Sequence, residues 1–120
     1  FEKINFNVAS FDDDLKQKFD LIIAIESLKH SNNYNLTLQN LASHLKKDGE
    51  FWLVEDVRVN EDKSLLKEKK FSDWWHVPHI FTRSEIEKGI VKGGLTIVEI
   101  FDLTPNLIHE SLLKAKKRWN

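Results

Sequence analysis

Two apolar runs, "LIIAI" at residues 21–25 and "FWLV" at residues 51–54, each stop abruptly at an acid, and one helical pattern lies between them. A strand with one wet face alternates apolar and polar residues, whereas a strand in a parallel sheet reads as an almost unbroken aliphatic run. Both runs are of the second kind. Between them Leu38, Leu41, Ala42 and Leu45 fall on one helical stripe. Asn or Ser residues ahead of the stripe are available as N-caps, lysines load its end, and Gly49 stands where a left-handed C-terminal residue is wanted. Strand, helix and strand within about forty residues predict a right-handed βαβ crossover.

The flanks extend this pattern. "KINFNVAS" alternates Ile4, Phe6 and Val8 with polar neighbours and predicts a short strand, and "FDDDLKQK" a polar loop. "NEDKSLLKEKKFSDWWHVPHIF" reads as a short helix or an excursion, followed by a loop carrying Trp74 and Trp75. In "TRSEIEKGIVKGG" Thr82 and Glu85 have capping-box spacing and Gly93-Gly94 closes a short helix. "LTIVEIFDL" predicts another strand, and "TPNLIHESLLKAKKRW" a helix opened by Pro105, with Leu107, Ile108, Ser111, Leu112 and Ala115 on its apolar side. The expected fold class is α/β, a doubly wound, mainly parallel sheet forming one domain over residues 1–120.

Composition removes several function classes. Eighteen basic and nineteen acidic side chains in 120 residues nearly cancel, so no overall field attracts nucleic acid or an anionic membrane. Absence of cysteine excludes disulfides, a thiolate nucleophile and cysteine-ligated metal. No apolar run approaches the roughly 20 residues that span a bilayer, and a cytoplasmic location is expected. No Walker loop, nucleophile elbow or Gly-x-Gly-x-x-Gly occurs. "HVPH", with His76, His79 and nearby Asp73, invites a metal reading, but Pro78 spoils helical spacing and no further ligand cluster stands out, so no metal is expected.

In open α/β sheets, ligands bind beyond the carboxyl ends of the strands. Glu26, Ser27 and His30 follow the first run, Glu55 and Asp56 the second, and Asp102 and Thr104 the last expected strand. Polar groups gathered at one edge suggest a site; the plainer alternative is that strands end in polar loops.

The stretch "FDLIIAIESLKHSNNYNLTLQNLASHLKKDGEFWLVEDV" resembles the fourth strand, following helix and fifth strand of class I S-adenosylmethionine-dependent methyltransferases, within the small-molecule branch that includes sterol and tocopherol methyltransferases. Phe19, Asp20, Glu26, Ser27, His30, Leu45, Lys46 and Gly49 carry the match, and "FTRSEIEKGIVKGGLTIVEIFDLT" is similar to the helix and sixth strand that follow. The resemblance implies a partial Rossmann-like sheet, the third to sixth strands, with S-adenosylmethionine as cofactor. By position, Ile25 and Glu26 would line the cofactor pocket. The family's adenine-binding acid would fall on Ser10, with Phe11 beside it, and serine offers no carboxylate. The family's glycine-rich loop and ribose-binding acid have no counterpart. The implied protein is therefore the C-terminal part of such a domain, incomplete without an upstream segment or a strand-exchanged dimer partner.

Methyl transfer needs alignment in a water-poor site more than it needs particular side chains. His30 is the candidate catalytic residue on the substrate side, though a hydrogen-bonded histidine at a helix start is the plainer reading. Trp75, with Trp74, could cover an apolar or cationic ligand or serve as a core aromatic. Asp102 and Thr104 are candidates for substrate contact, with Thr104 as a helix cap the alternative. Two functions follow: methyl transfer to a small-molecule acceptor, or a non-catalytic methyltransferase-like interaction module.

Overall fold

The computed structural model describes residues 3–58 and 65–106. Strand β1 (Phe19–Ile25) pairs in parallel with β2 (Leu45–Val54), and helix α1 (Tyr34–Ser43) links them, as the two apolar runs predict. From Leu21 opposite Glu50 to Ile25 opposite Val54 the register is continuous. Asn33 caps α1, its side chain accepting from the Leu36 N–H at 3.2 Å.

Alternation along the pair decides what each side chain does. Ala24, with Ile22, Phe51 and Leu53, faces inward toward α1, and a core of Ala24, Leu28, Tyr34, Leu38 and Ile86 forms there. Leu21, Ile23, Ile25, Trp52 and Val54 point the other way and are exposed. The expectation of strands covered on both faces is thus corrected: among the described residues only one face is covered.

The wider sheet is also corrected. Residues 3–10 and 95–103, expected as strands, carry no regular secondary structure, and Ile4, Phe6, Val8, Val98 and Phe101 are exposed. A strand is stable only when a neighbour takes its N–H and C=O groups, and neither edge of the β1–β2 pair takes these segments. The structure therefore supplies a two-stranded core of the expected α/β architecture.

The helix ends earlier than its apolar stripe suggests. His44 is its C-cap, and the buried imidazole joins two elements: Nδ1 donates to the Asn40 carbonyl at 2.7 Å and Nε2 accepts from the Leu15 N–H at 3.0 Å. Leu45 then belongs to β2, and its pairing with Phe19 is offset from the rest by an irregularity at residues 46–49. Asp48, not Gly49, adopts the left-handed backbone there (φ 63°). Gly49 is required for space, because a Cβ would lie 2.9 Å from the Lys46 carbonyl oxygen and 3.2 Å from those of Phe19 and Asp20.

Helix α2 (Leu65–Trp75) replaces the expected loop around Trp74 and Trp75, which form its last turn. Helix α3 (Arg83–Lys92) opens with the capping box, Thr82 Oγ1 accepting from the Glu85 N–H at 3.2 Å and Glu85 Oε2 accepting from the Thr82 N–H at 2.7 Å. It packs on α1 at Gly89, where a Cβ would approach Asn35 Oδ1 to 2.9 Å and Leu38 Cδ1 to 3.2 Å. The Tyr34 and Phe81 rings, 4.5 Å apart, close the same seam. Pro105 lies in a 3-10 turn, Thr104–Asn106; the helix expected beyond it lies outside the described residues.

Leu38 is fully buried at the centre of this seam, so Leu38→Ala should cost about 2–5 kcal/mol in urea unfolding. Gly49→Ala should cost roughly 1–3 kcal/mol, because the obstructing atoms are all backbone and have no rotamer to change.

Candidate functional site

The polar groups after β1 and β2 converge because the two strands are parallel and end side by side. Glu26 continues the ladder by donating its N–H to the Val54 carbonyl at 2.8 Å, then turns the chain through a left-handed backbone (φ 52°). That conformation costs an L-residue roughly 1–2 kcal/mol. It leads into a 3-10 turn at Leu28–His30, whose Leu28 side chain is anchored in the core. Glu55 caps this turn from the neighbouring strand: its Oε1 accepts from the Leu28 N–H at 2.8 Å.

The turn delivers Lys29 inward. Its side chain is only 7% exposed, its ammonium bonds Glu26 Oε2, and Asp56 Oδ2 lies 3.6 Å away. The Trp75 and Phe71 rings sit over it with centroids at 5.1 and 5.8 Å, an arrangement favourable to a cation. Burial alone would lower the lysine pKa, but the Glu26 hydrogen bond and the charges of Glu26, Asp56 and Glu55 outweigh it and raise it. Glu55 behaves oppositely. Its burial raises the carboxyl pKa, against the lowering effect of the Leu28 N–H. The Tyr34 hydroxyl is pushed up by burial and then by Glu55. Lys29, Tyr34, Glu55, Asp56, Phe71 and Phe81 enclose a cavity of about 10 Å³.

Of the residues expected from the sequence, Glu26 and Trp75 belong to this cluster, and Ile25 adjoins it along the backbone with its side chain on the open face. Ile25 is the exposed last residue of β1, and Trp75 covers Lys29. His30 is exposed and faces elsewhere, lining a shallow hollow with Asn32, Asp73, His76 and Pro78. Ser10 is engaged in its own turn: its N–H donates to Asp13 Oδ2 at 2.7 Å and its Oγ accepts from the Asp12 N–H. Phe11 packs against the core, and its carbonyl accepts from Asn40 Nδ2 at 2.8 Å, so this segment is held on the C-terminal half of α1 and not at the strand tips. Asp102 Oδ1 accepts from the Thr104 N–H at 2.9 Å, and both residues are exposed. His79 sits 3.6 Å from Glu85, and among the described residues no group of His, Asp or Glu could hold a metal ion. No helix there is long and apolar enough to cross a membrane.

Lys29 and Tyr34 escape the sequence reading. The available signal was the Glu26–Lys29 spacing of three directly after an apolar strand, which places a charge pair on one turn. A sequence model of the family described as a methyltransferase domain matches residues 2–100. Comparison with the curated proteins and with solved structures gives no match.

Lys29→Met leaves the carboxylates converging without their cation and should cost about 2–4 kcal/mol in urea unfolding, less than a fully buried pair because Glu26 and Asp56 remain wet. Glu55 has a folded pKa above its ordinary 4.5, so the folded state binds the proton better and loses stability as pH rises from 4.5 through the raised value. Glu55→Gln keeps the Oε1 acceptor for Leu28. Its stability relative to the parent should therefore increase across that pH window and level off above it, as followed by thermal unfolding at several pH values.

Proposed function

Because the chain belongs to the methyltransferase-domain family, we propose that it serves S-adenosylmethionine-dependent methyl transfer to a small-molecule acceptor at the tips of β1 and β2. The observation that carries this reading is the convergence of Ile25, Glu26, Glu55 and Asp56 where two parallel strands end, the place where such sheets bind ligands. The sterol- and tocopherol-like branch is the subgroup the sequence resembles most, and it belongs to the same proposal.

The residues present suit the cofactor in two respects. Ile25 offers exposed aliphatic surface, and the acids beside it outnumber Lys29, which favours a cationic sulfonium. The cofactor supplies a methyl group displaced in line from sulfur. Ile25 and Glu26 would hold it at the β1 tip, Trp75 would exclude water and border the acceptor, and His30 would act from the outer hollow on the acceptor side. Ser10 and Phe11, and Asp102 and Thr104, reach the ligand only with a rearrangement of the hydrogen bonds they now make. Completion of the site by a further segment or a second copy is part of this proposal, supported by the open face of Leu21, Ile23, Ile25, Trp52 and Val54.

One observation favours the alternative of a non-catalytic module. The hydroxyl of Ser10, in the position expected to recognise adenine, is already engaged in a local turn.

Calorimetric titration with S-adenosylhomocysteine, carried out with the upstream segment present, separates the two. Methyl transfer predicts micromolar binding, weakened about tenfold or more by Ile25→Asp, which puts charge on the aliphatic surface. A folded chain that gives no heat with this ligand would favour the module.

A further inference from the structure

We propose that Lys29 is a positioning residue: its ammonium ties helix α2 to the tips of β1 and β2 and so fixes Trp75 over the ligand-binding edge. Three elements meet on this one side chain. Glu26, just past β1, bonds the ammonium, and Asp56, just past β2, lies 3.6 Å from it. From α2 the Trp75 and Phe71 rings stand over the same nitrogen at 5.1 and 5.8 Å. Phe71 and Trp75 are one helical turn apart, so a single face of α2 delivers both rings, 6.1 Å from each other, to one cation.

Exposure shows which partner depends on the other. The Lys29 side chain is 7% exposed, whereas Trp75 remains 54% exposed. A tryptophan held by apolar burial is largely covered; this one is half in solvent, and the buried charge supplies its fixed contact. The C-terminal end of α2 is anchored separately. His76 takes a left-handed backbone (φ 53°), Val77 beyond it is buried, and the Val77 N–H donates to the Ser72 carbonyl at 3.1 Å. That hook places the end of the helix, and the ammonium sets the orientation of its aromatic face. The charge itself is secure, because the Glu26 hydrogen bond and the neighbouring acids raise the lysine pKa in spite of burial. An uncharged side chain of the same length would fill the space and leave both rings without their attraction.

The inference rests on the methyl-transfer reading for the ligand that Trp75 borders; the tie between Lys29 and α2 does not.

The test pairs two substitutions. Lys29→Met keeps the length and removes the charge, and Trp75→Leu keeps apolar bulk and removes the ring face. In the parent chain the Lys29 Hε resonances should lie upfield, under the Trp75 ring, and return to their ordinary position in Trp75→Leu. Each substitution should speed amide hydrogen exchange in the last turns of α2 about tenfold relative to α1 and α3, and the double variant should be no faster than the faster single one, since both remove the same contact. Exchange that rises equally in all three helices, or single effects that multiply in the double variant, overturns the proposal. With the upstream segment present, Lys29→Met should also weaken S-adenosylhomocysteine about tenfold by calorimetry. Undiminished binding beside a loosened α2 overturns the positioning role. A loosened α2 with no binding by any of the proteins, the parent included, retains the tie and removes the methyl-transfer reading.

Discussion

The pairing of β1 with β2 is the constraint on which the rest of the molecule depends. Parallel strands cannot be joined by a tight turn, so the chain must cross back over the sheet, and α1 is that crossing. Once α1 lies on one face, the inward residues of both strands become core, and both carboxyl ends come out at the same edge. Glu26 and Glu55 are separated by a helix in sequence, yet become neighbours around one lysine.

That edge is organised by compensation. A lysine buried to this degree would ordinarily lose its proton more readily. The carboxylates around it hold the proton on, while burial still raises the Glu55 carboxyl against the lowering pull of the Leu28 N–H. The cost of the left-handed Glu26 is incurred in the same place, where the chain must turn sharply to send Lys29 inward and Leu28 into the core.

The two apolar runs, the helix between them and the capping box of α3 were legible in the sequence because each is a local pattern with its own period or spacing. The flanking strands were not. Alternation at Ile4, Phe6 and Val8, or along residues 95–103, states that a segment could pair, whereas pairing also requires an available partner. The helix boundary near His44 was hidden for a related reason: Leu45 fits the helical stripe, but its position is decided by Phe19 across the sheet. At the strand tips, the position of Glu26 was legible from the acid that ends an apolar run, that of Ile25 from the family resemblance, and that of Trp75 from a conspicuous aromatic pair. Lys29 and Tyr34 were hidden because their importance comes from burial among residues distant in sequence, and a lysine in a charged turn reads as solvated.

Gly89 has a bearing on how this chain can vary. Because α3 presents a bare backbone to Leu38, Asn35 and Tyr34, the two helices meet closely at this point. A methyl gained at 89 requires the exposed Asn35 amide to swing aside and Leu38 to give by a few tenths of an ångström, and a larger side chain requires trimming on α1, so the two helices drift as a couple. Substitutions here should appear in matched pairs, and a record of such pairs would trace the helix contact without any coordinates.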